Sequence, residues 1–301
     1  MTPPPLHQCQ VFASPWEGVY CTQAESSRHY GKHWHAVYGL GLLDDGAQSS
    51  ASGRGQVDAY AGDLITTNPG EVHDGQPLGS APRRWRMVYV EPGALHALAA
   101  EDHGGAAGRG DIAFTRPVIQ DAALALALRT LFTRVAHWNA LDPLDPHGPP
   151  QAAAPSAVHR LACEESLART CALLLRHHAN LVPAPAGHMA HAAPALQQVR
   201  DWLADAPLQP PTLAQMAAFA GLSRYQLLRR FAGTYGLPPH AWLLQQRAER
   251  SRHLIRRGAS LADAAAASGF ADQSHMTRIF ARQFGFTPGA WQKAHRAHPA
   301  Q

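Results

Sequence analysis

One sequence pattern occurs twice in this chain, 48 residues apart, and this repeat constrains the fold more than any other feature. The segment LAQMAAFAG at Leu213–Gly221 returns as LADAAAASG at Leu261–Gly269. Each copy continues into an arginine-bearing segment that closes on a glycine ahead of a proline, at Gly236 and Gly285. Two units are too few for a solenoid, which needs about three or more repeats. The repeat therefore predicts a short helical motif present in two copies.

Each copy carries the turn and capping residues of a helix-turn-helix. Thr212 with Gln215, and Ser223 with Gln226, form two capping boxes in the first copy. Gly221 supplies the left-handed residue between the two helices. Two helices joined by a short turn that contains glycine are typical of a helix-turn-helix. We place the first motif at about 212–235 and the second at about 260–284.

The second helix of each motif is expected to bury an apolar stripe and expose a polar face. The stripes are Leu227, Phe231 and Tyr235 in the first copy and Met276, Phe280 and Phe284 in the second. Arginine can bind guanine and glutamine can bind adenine through base edges, so the outward faces predict DNA contacts. The alternative is a pair of ordinary solvated faces. The predicted DNA-binding residues are Arg224, Tyr225, Leu228, Arg229, Gln273, Ser274, His275, Thr277 and Arg278.

Positive charge is concentrated in the same part of the chain. Residues 195–301 contain 13 Lys and Arg against 5 Asp and Glu, whereas residues 1–194 contain 13 against 17. A basic region of this kind is expected to bind a polyanion. A helix starting near Pro239 is predicted to join the two motifs and to carry surface arginines, namely Arg247, Arg250, Arg252, Arg256 and Arg257.

These residues carry a family resemblance. Residues 195–296 resemble the DNA-binding domain of AraC/XylS-type transcriptional regulators through short matches that include Gly221-Leu222-Ser223, Arg230-Phe231, Gly269-Phe270 and Gln273-Ser274-His275. The resemblance implies sequence-specific DNA binding. It also implies that Tyr225, Arg229, Gln273, Ser274, His275 and Arg278 match positions that contact bases or backbone in the family. Leu228 departs from the polar residue often found at its position, which implies fewer hydrogen bonds from the first motif.

Residues 1–115 are predicted to form a β domain, since short apolar segments alternate with Gly, Asp and Asn turns. The segments are His35–Leu43, Gly55–Tyr60, Asp63–Thr67 and Arg84–Val90. The stretch from Tyr60 to His73 resembles the cupin-like sensor domain of the same regulator family. The expected fold class is therefore α+β, with an N-terminal cupin-like β-barrel and a C-terminal all-α domain of two helix-turn-helix motifs joined by a linker helix.

The β domain contains a candidate ligand site. Trp85, Met87 and Tyr89 share one face of a predicted strand, and small-ligand sites combine such aromatics with a few polar groups. The polar groups here are His33 and His35, expected to share a strand face, together with His73. Metal-binding cupins add a carboxylate soon after their His-x-His pair, but Gly39 or Leu40 stands at that place. We predict no cofactor, and leave metal binding by the three histidines open against a role as polar or rim residues.

Residues 116–180 change to helical periodicity. Leu124, Leu128, Leu131 and Val135 form one stripe, and a second runs through Leu161, Leu167, Cys171 and Leu174. The resemblance implies that these helices mediate dimerisation, although they could pack wholly on their own barrel. The proline-rich stretch 141–155 between them is predicted to be mobile. Residues 181–194 are predicted to be a linker.

The remaining features concern location. The four cysteines show no metal-binding spacing and are expected to be reduced thiols. The N-terminus lacks the features of a signal peptide, and no run approaches 18 apolar residues. We therefore expect a cytoplasmic protein with no membrane association.

Together these features predict a ligand-responsive transcriptional regulator, an activator of nearby metabolic or transport genes, and not an enzyme. Its expected partners are double-stranded DNA, a small-molecule effector, a second copy of the chain and RNA polymerase. One alternative is a metal-dependent cupin-type oxygenase or isomerase with a DNA-binding tail. Another is a DNA-repair alkyltransferase, but Cys163 and Cys171 lack the context that this chemistry needs. A third is a DNA-bound regulator whose sensor domain binds no effector.

Overall fold

A computed structural model describes residues 6–102, 110–140, 157–183 and 194–297. The chain divides into two compact units, one made mainly of the described residues up to Val182 and the other mainly of those from Pro194 to Gln292. The division groups Lys32–Trp34 with the second unit, although the strand Tyr30–His33 is hydrogen-bonded within a sheet of the first. The proline-rich stretch 141–155 and most of the predicted linker, 184–193, lie outside the described residues.

The strands of the first unit form three sheets. The six-stranded sheet has the order β1-β2-β9-β4-β7-β11, the four-stranded sheet has the order β3-β8-β5-β6, and β10 pairs with β12. The strands are β1 His7–Ala13, β2 Val19–Ser26, β3 Tyr30–His33, β4 Tyr38–Asp45, β5 Ala47–Ser52, β6 Gly55–Tyr60, β7 Leu64–Thr67, β8 His73–Pro77, β9 Arg83–Val90, β10 Gly110–Phe114, β11 Val118–Ile119 and β12 Ala179–Pro183.

The two larger sheets face each other, as the directions of the β9 side chains show. Successive side chains of a strand point to opposite faces. Val88 and Val90 face an apolar core on one side of the six-stranded sheet. Arg83 points the other way, since its guanidinium donates to Gln48 Oε1 of β5 at 3.0 Å and to the Gly75 carbonyl of β8 at 3.3 Å. We call the interior between the two sheets the lumen. The α+β prediction with an N-terminal β domain is confirmed.

The helices of the first unit are α1 Pro92–Asp102, α2 Ala122–Ala140 and α3 Ala157–His178. α2 and α3 run antiparallel, because His178 Nε2 lies 2.8 Å from Asp121 Oδ2 while Arg134 Nη1 donates to the Ala162 carbonyl at 2.6 Å. The stripes considered for dimerisation are largely buried in the core of their own unit, at Leu124, Leu128, Leu131, Val135, Leu167, Cys171 and Leu174. Leu161 of the second stripe is instead 64% exposed.

α1 is a helix within residues 1–115, the segment for which the sequence predicted a β domain. Its sequence after Pro92 is rich in Ala and Leu, which are strong helix formers, and proline is well tolerated in the first turn of a helix. Leu95 and Ala99 of α1 are buried in the apolar core. The helix was missed because it is short and follows directly on β9.

The second unit is helical. Its elements are α4 Pro194–Asp205, α5 Leu213–Phe219, α6 Arg224–Tyr235, α7 Pro239–Arg256, α8 Leu261–Ala267, α9 Gln273–Phe284 and α10 Pro288–Ala297. Both predicted capping boxes are confirmed, with reciprocal hydrogen bonds between Thr212 and Gln215 and between Ser223 and Gln226. α6 and α9 both end at a left-handed glycine, with φ of 74° at Gly236 and 82° at Gly285.

One arginine of α7 is not a surface residue. Arg252 is 5% exposed, and its Nε lies 2.9 Å from Glu249 Oε2, itself buried. The guanidinium also sits 5.3 Å from the ring of Trp291, whose indole N–H donates to the Arg252 carbonyl. The surface prediction for Arg252 is therefore wrong, because this side of α7 packs against α10.

Across the described part of the chain, no helix is both long and apolar enough to cross a membrane.

Candidate functional site

The outward face of α6 carries four of the predicted DNA-binding residues. Leu227 and Phe231 are fully buried and fix the rotation of the helix about its axis. This orientation exposes Tyr225 by 72% and Leu228 by 38%. The guanidinium of Arg229 lies 5.9 Å from the Tyr225 ring, one helical turn away. The face therefore combines charge with aromatic and apolar surface, and its exposed predicted residues are Arg224, Tyr225, Leu228 and Arg229.

The outward face of α9 is more polar. Gln273, Ser274 and Arg278 are exposed, whereas His275 and Thr277 are half-buried. The His275 ring packs edge-on against Phe270 at 5.4 Å, and the Thr277 hydroxyl donates to the Gln273 carbonyl at 2.8 Å. Three of the five predicted residues thus lie open to solvent, while two are held partly against the protein.

Two exposed arginines on these helices were not among the predicted contacts. Arg230 follows Arg229 on α6, and Arg282 lies in the last turn of α9. The sequence could have indicated that both arginines are exposed, because neither belongs to the apolar stripe of its helix. Both add positive charge beside the predicted faces.

A second candidate site lies in the lumen. Tyr89 of β9 stacks on Tyr20 at 4.9 Å, and its ring centroid lies 5.5 Å from that of His35. The His35 ring is 5.3 Å from that of His73 on β8. Burial raises the pKa of Tyr89 well above its usual value and lowers the pKa of His73. His73 is therefore held as a neutral imidazole near neutral pH.

The prediction that His33 and His35 share one face of a strand is wrong. His33 is the last residue of β3, whereas His35 lies in the connection to β4. His35 is buried although it lies outside a strand. The two still converge with His73, since ligand atoms of the three imidazoles all lie within 4.8 Å of one another.

Trp85 belongs to a different part of the lumen. It is four residues from Tyr89 on β9, which corresponds to about 13 Å along a strand. Its neighbours are Tyr30, at 6.0 Å between ring centroids, and the guanidinium of Arg83, 4.9 Å from its ring. Met87 is buried between the two groups. The six predicted ligand-site residues therefore do not form one compact cluster.

Arg83 was not predicted as a site residue. It is 1% exposed, and burial lowers its pKa to about 10. Its guanidinium bonds to Gln48 and to the carbonyls of Arg28 and Gly75. Its position could have been predicted from the spacing in the sequence. Arg83 is two residues before Trp85, so the two side chains share one face of the strand.

Two family models match this chain. One, described as an AraC-like ligand binding domain, matches residues 18–168, which is half of the chain. The chain belongs to the AraC family. The other, described as a helix-turn-helix domain, matches residues 216–294 and covers α6, α7, α8 and α9 of this AraC-family protein.

Several relatives are named as regulators. The uncharacterised HTH-type transcriptional regulator YbfI of Bacillus subtilis is 25% identical over 250 residues, which are 81% of this chain and 80% of YbfI. The transcriptional activator NphR of Rhodococcus is 38% identical over 85 residues, 28% of this chain and 25% of NphR. The crystal structure of ToxT from Vibrio cholerae matches 98% of this chain and 99% of that one, with 10% identity and a TM-score of 0.45.

These comparisons bear on the predicted function. The relatives are transcriptional regulators and activators by name, and none of them is named as an enzyme. The AraC-family protein described here is a transcriptional regulator with a ligand-binding domain and a DNA-binding helix-turn-helix domain. The predictions of family and regulator function are confirmed, and the oxygenase, isomerase and alkyltransferase alternatives receive no support.

Proposed function

We propose that this AraC-family regulator recognises a specific DNA sequence through α6 and α9, placed in successive major grooves. Such grooves on one side of a duplex are about 34 Å apart. The observation that carries the proposal is that each helix buries its apolar stripe and exposes an arginine on the opposite face. Phe231 and Phe280 are fully buried, while Arg229 and Arg278 are exposed.

The two exposed faces are proposed to contact DNA differently. α9 offers Gln273, Ser274 and Arg278, which have the donors and acceptors needed for base edges. α6 offers Arg224 and Arg229 with the apolar Leu228, which suits phosphate contacts and one arginine–guanine contact. His275 and Thr277 remain part of the proposed interface, at its half-buried border.

Substitution of the two exposed arginines tests the proposal. We expect Arg229→Ala and Arg278→Ala each to weaken binding to a selected DNA site by about 1–3 kcal/mol and to relax specificity at one base pair. The site would first be selected from a random DNA pool with the full-length chain. Fluorescence anisotropy then measures affinity for the selected and for a scrambled duplex.

The control is Arg256→Ala on α7. We expect it to weaken binding to both duplexes alike and to flatten the salt dependence, as a phosphate contact does. If Arg229→Ala and Arg278→Ala also reduced both affinities equally, base recognition by α6 and α9 would be excluded.

We further propose that a small effector binds in the lumen and that the protein is an activator of nearby metabolic or transport genes. The proposed contacts fall into two groups, with His33, His35, His73 and Tyr89 in one, Trp85 in the other and Met87 between them. An effector can act only if it binds two arrangements of the protein with different affinity. Thermal-shift screening of metabolites against the full chain, with Trp85→Ala and His73→Ala as comparisons, tests this role.

A homodimer is proposed as the DNA-bound form, with RNA polymerase as a further partner in the cytoplasm. The support for a dimer is that α2 and α3 keep exposed apolar side chains although their main stripes are buried. Leu126 is 63% exposed, Val158 is 73% exposed and Leu161 is 64% exposed. Sedimentation equilibrium of the wild-type chain and of Leu161→Arg tests this assembly, since a charge at an apolar interface should shift the protein towards monomer.

A further inference from the structure

We propose that His33, His35 and His73 bind one divalent first-row transition-metal ion in the lumen. The inference rests on the proposed sensor role of this domain and names the chemistry of its ligand. Imidazole nitrogens suit Zn²⁺, Fe²⁺, Co²⁺ and Ni²⁺, whereas Mg²⁺ and Ca²⁺ prefer oxygen ligands. The group formed among the described residues contains three histidines and no carboxylate.

The distances suit a single ion. The candidate ligand atoms of the three side chains lie within 4.8 Å of one another. With metal–nitrogen bonds of about 2.0–2.1 Å, two nitrogen ligands of a tetrahedral ion lie about 3.4 Å apart. A shift of each nitrogen by about an ångström closes the difference from 4.8 Å.

The loops that carry the histidines are already connected. The Gly70 N–H donates to the His35 carbonyl at 2.8 Å, which ties the connection after β3 to the turn before β8. Glu71 in that turn is held by Arg54, whose Nε lies 2.7 Å from the Glu71 carboxylate. The backbone at His35 is therefore tied to the segment that leads into β8 and His73 by a hydrogen bond that involves neither imidazole.

The hydrogen bond of His73 also fixes which of its ring nitrogens carries the proton. His73 Nδ1 lies 2.9 Å from the Glu71 carbonyl oxygen. A carbonyl oxygen only accepts hydrogen bonds, so Nδ1 must carry the proton and Nε2 keeps its lone pair. Histidine ligands commonly donate their second ring N–H to a carbonyl or carboxylate in this way, which orients the ring.

The three histidines would not complete the coordination sphere of the metal ion. Three protein ligands leave a position on a four-coordinate ion for water or another small ligand. Tyr89 borders this region, with its ring centroid 5.5 Å from that of His35. A metal at this point would therefore give the lumen a position at which an effector with a metal-binding group can attach.

Cobalt binding to the full-length protein tests the inference. Protein freed of metal with a chelator is titrated with Co²⁺, and visible absorption follows the formation of a coordinated complex. We expect one Co²⁺ per chain. His35→Ala and His73→Ala should each raise the dissociation constant by more than about 100-fold, because outer-sphere changes alone typically cost 10–100-fold.

The matched control is a second histidine pair. The rings of His137 and His159 lie 5.0 Å apart on α2 and α3, so this pair could capture an adventitious ion. His137→Ala and the exposed His29→Ala should leave the Co²⁺ spectrum and stoichiometry unchanged. Circular dichroism and thermal unfolding show whether each variant is folded, and His73→Gln provides a conservative second variant.

Two outcomes would overturn the inference. One is the absence of a stoichiometric Co²⁺ complex, and the other is a complex that survives His35→Ala and His73→Ala but disappears with His137→Ala. The failure of the metal site and the failure of DNA recognition are separable, because affinity for the selected duplex is measured on the same metal-free preparations. Protein that binds this duplex but no Co²⁺ would contradict only the metal site.

Discussion

The two helix-turn-helix copies share a backbone plan but differ in their surroundings. In each copy a 7-residue helix precedes a 12-residue helix that ends at a left-handed glycine. The last aromatic residue of each copy lies beneath an arginine. Arg200 sits 5.8 Å from the Tyr235 ring, and Arg252 sits 5.9 Å from the Phe284 ring. The first arginine is half-buried and the second is fully buried.

The turn glycines show the same difference. A methyl group at Gly221 would meet no atom within 4 Å, whereas one at Gly269 would lie 2.6 Å from the Pro207 carbonyl oxygen and 3.1 Å from Arg247 Nε. Arg250 of α7 also donates to the Ala267 carbonyl at the end of α8. The second copy is therefore embedded among its neighbours, while the turn of the first is open. The motif shared by the two copies determines where the helices begin and end. The residues packed around each copy determine how much stability a substitution there costs.

The largest expected difference between the copies concerns the two arginines. Arg252→Ala should lower the free energy of unfolding by about 3–5 kcal/mol, because it removes the guanidinium that lies 2.9 Å from the buried carboxylate of Glu249. Arg200→Ala should cost about 0.5–1 kcal/mol, since its interaction with Tyr235 is partly exposed. Urea denaturation followed by circular dichroism measures both values.

A double variant separates charge from packing. Glu249→Leu combined with Arg252→Met removes both charges and should recover most of the stability lost in Arg252→Ala. Equal losses for Arg200→Ala and Arg252→Ala would show that the second copy is no more embedded than the first.

The turn glycines should give the next largest difference. Gly221→Ala should cost about 1–2 kcal/mol, because its φ of 64° is unfavourable for a residue with a Cβ. Gly269→Ala, at φ 80°, should cost about 1–3 kcal/mol more, because its methyl group also collides with the Pro207 carbonyl. Thermal unfolding of the two variants compares them directly, and equal shifts would argue against the close approach at Gly269.

The smallest expected difference concerns the helix caps. Ser223 caps α6 and Asp272 caps α9, each accepting a backbone N–H with its side chain. Ser223→Ala and Asp272→Ala should each cost about 1 kcal/mol. The loss for Asp272→Ala should shrink at high salt, because its charge interacts with the helix dipole. Denaturation at two salt concentrations checks this, and a salt-independent loss for Asp272→Ala would contradict the charge contribution.

The helix-turn-helix motifs were predictable because their determinants are local. The capping box of Thr212 and Gln215 and the buried stripe through Leu227 depend on residues three or four positions apart. Periodicity also indicated β9, where Trp85, Met87 and Tyr89 were expected on one face. These predictions needed no knowledge of which segments meet in space.

Other features could not be predicted in the same way. α1 is short and continues directly from β9, so no change of period was visible at Pro92. In the sequence, Arg252 cannot be distinguished from the other arginines of α7. Its burial depends on Trp291 of α10, which packs against it. His35 lies outside a strand, and its convergence with His73 depends on the Gly70 hydrogen bond between two loops. Each case depends on a contact between segments distant in the sequence.

The sequence by itself determined the duplicated motif, the concentration of positive charge and the alternation of helix and strand, because these follow from neighbouring residues along the chain. Only the tertiary structure decided which arginine is buried, which apolar stripes are buried within the chain, and which histidines come within reach of one ion. The physical reason is that burial and metal coordination require atoms from separate segments to occupy one small volume, and no local pattern specifies that arrangement.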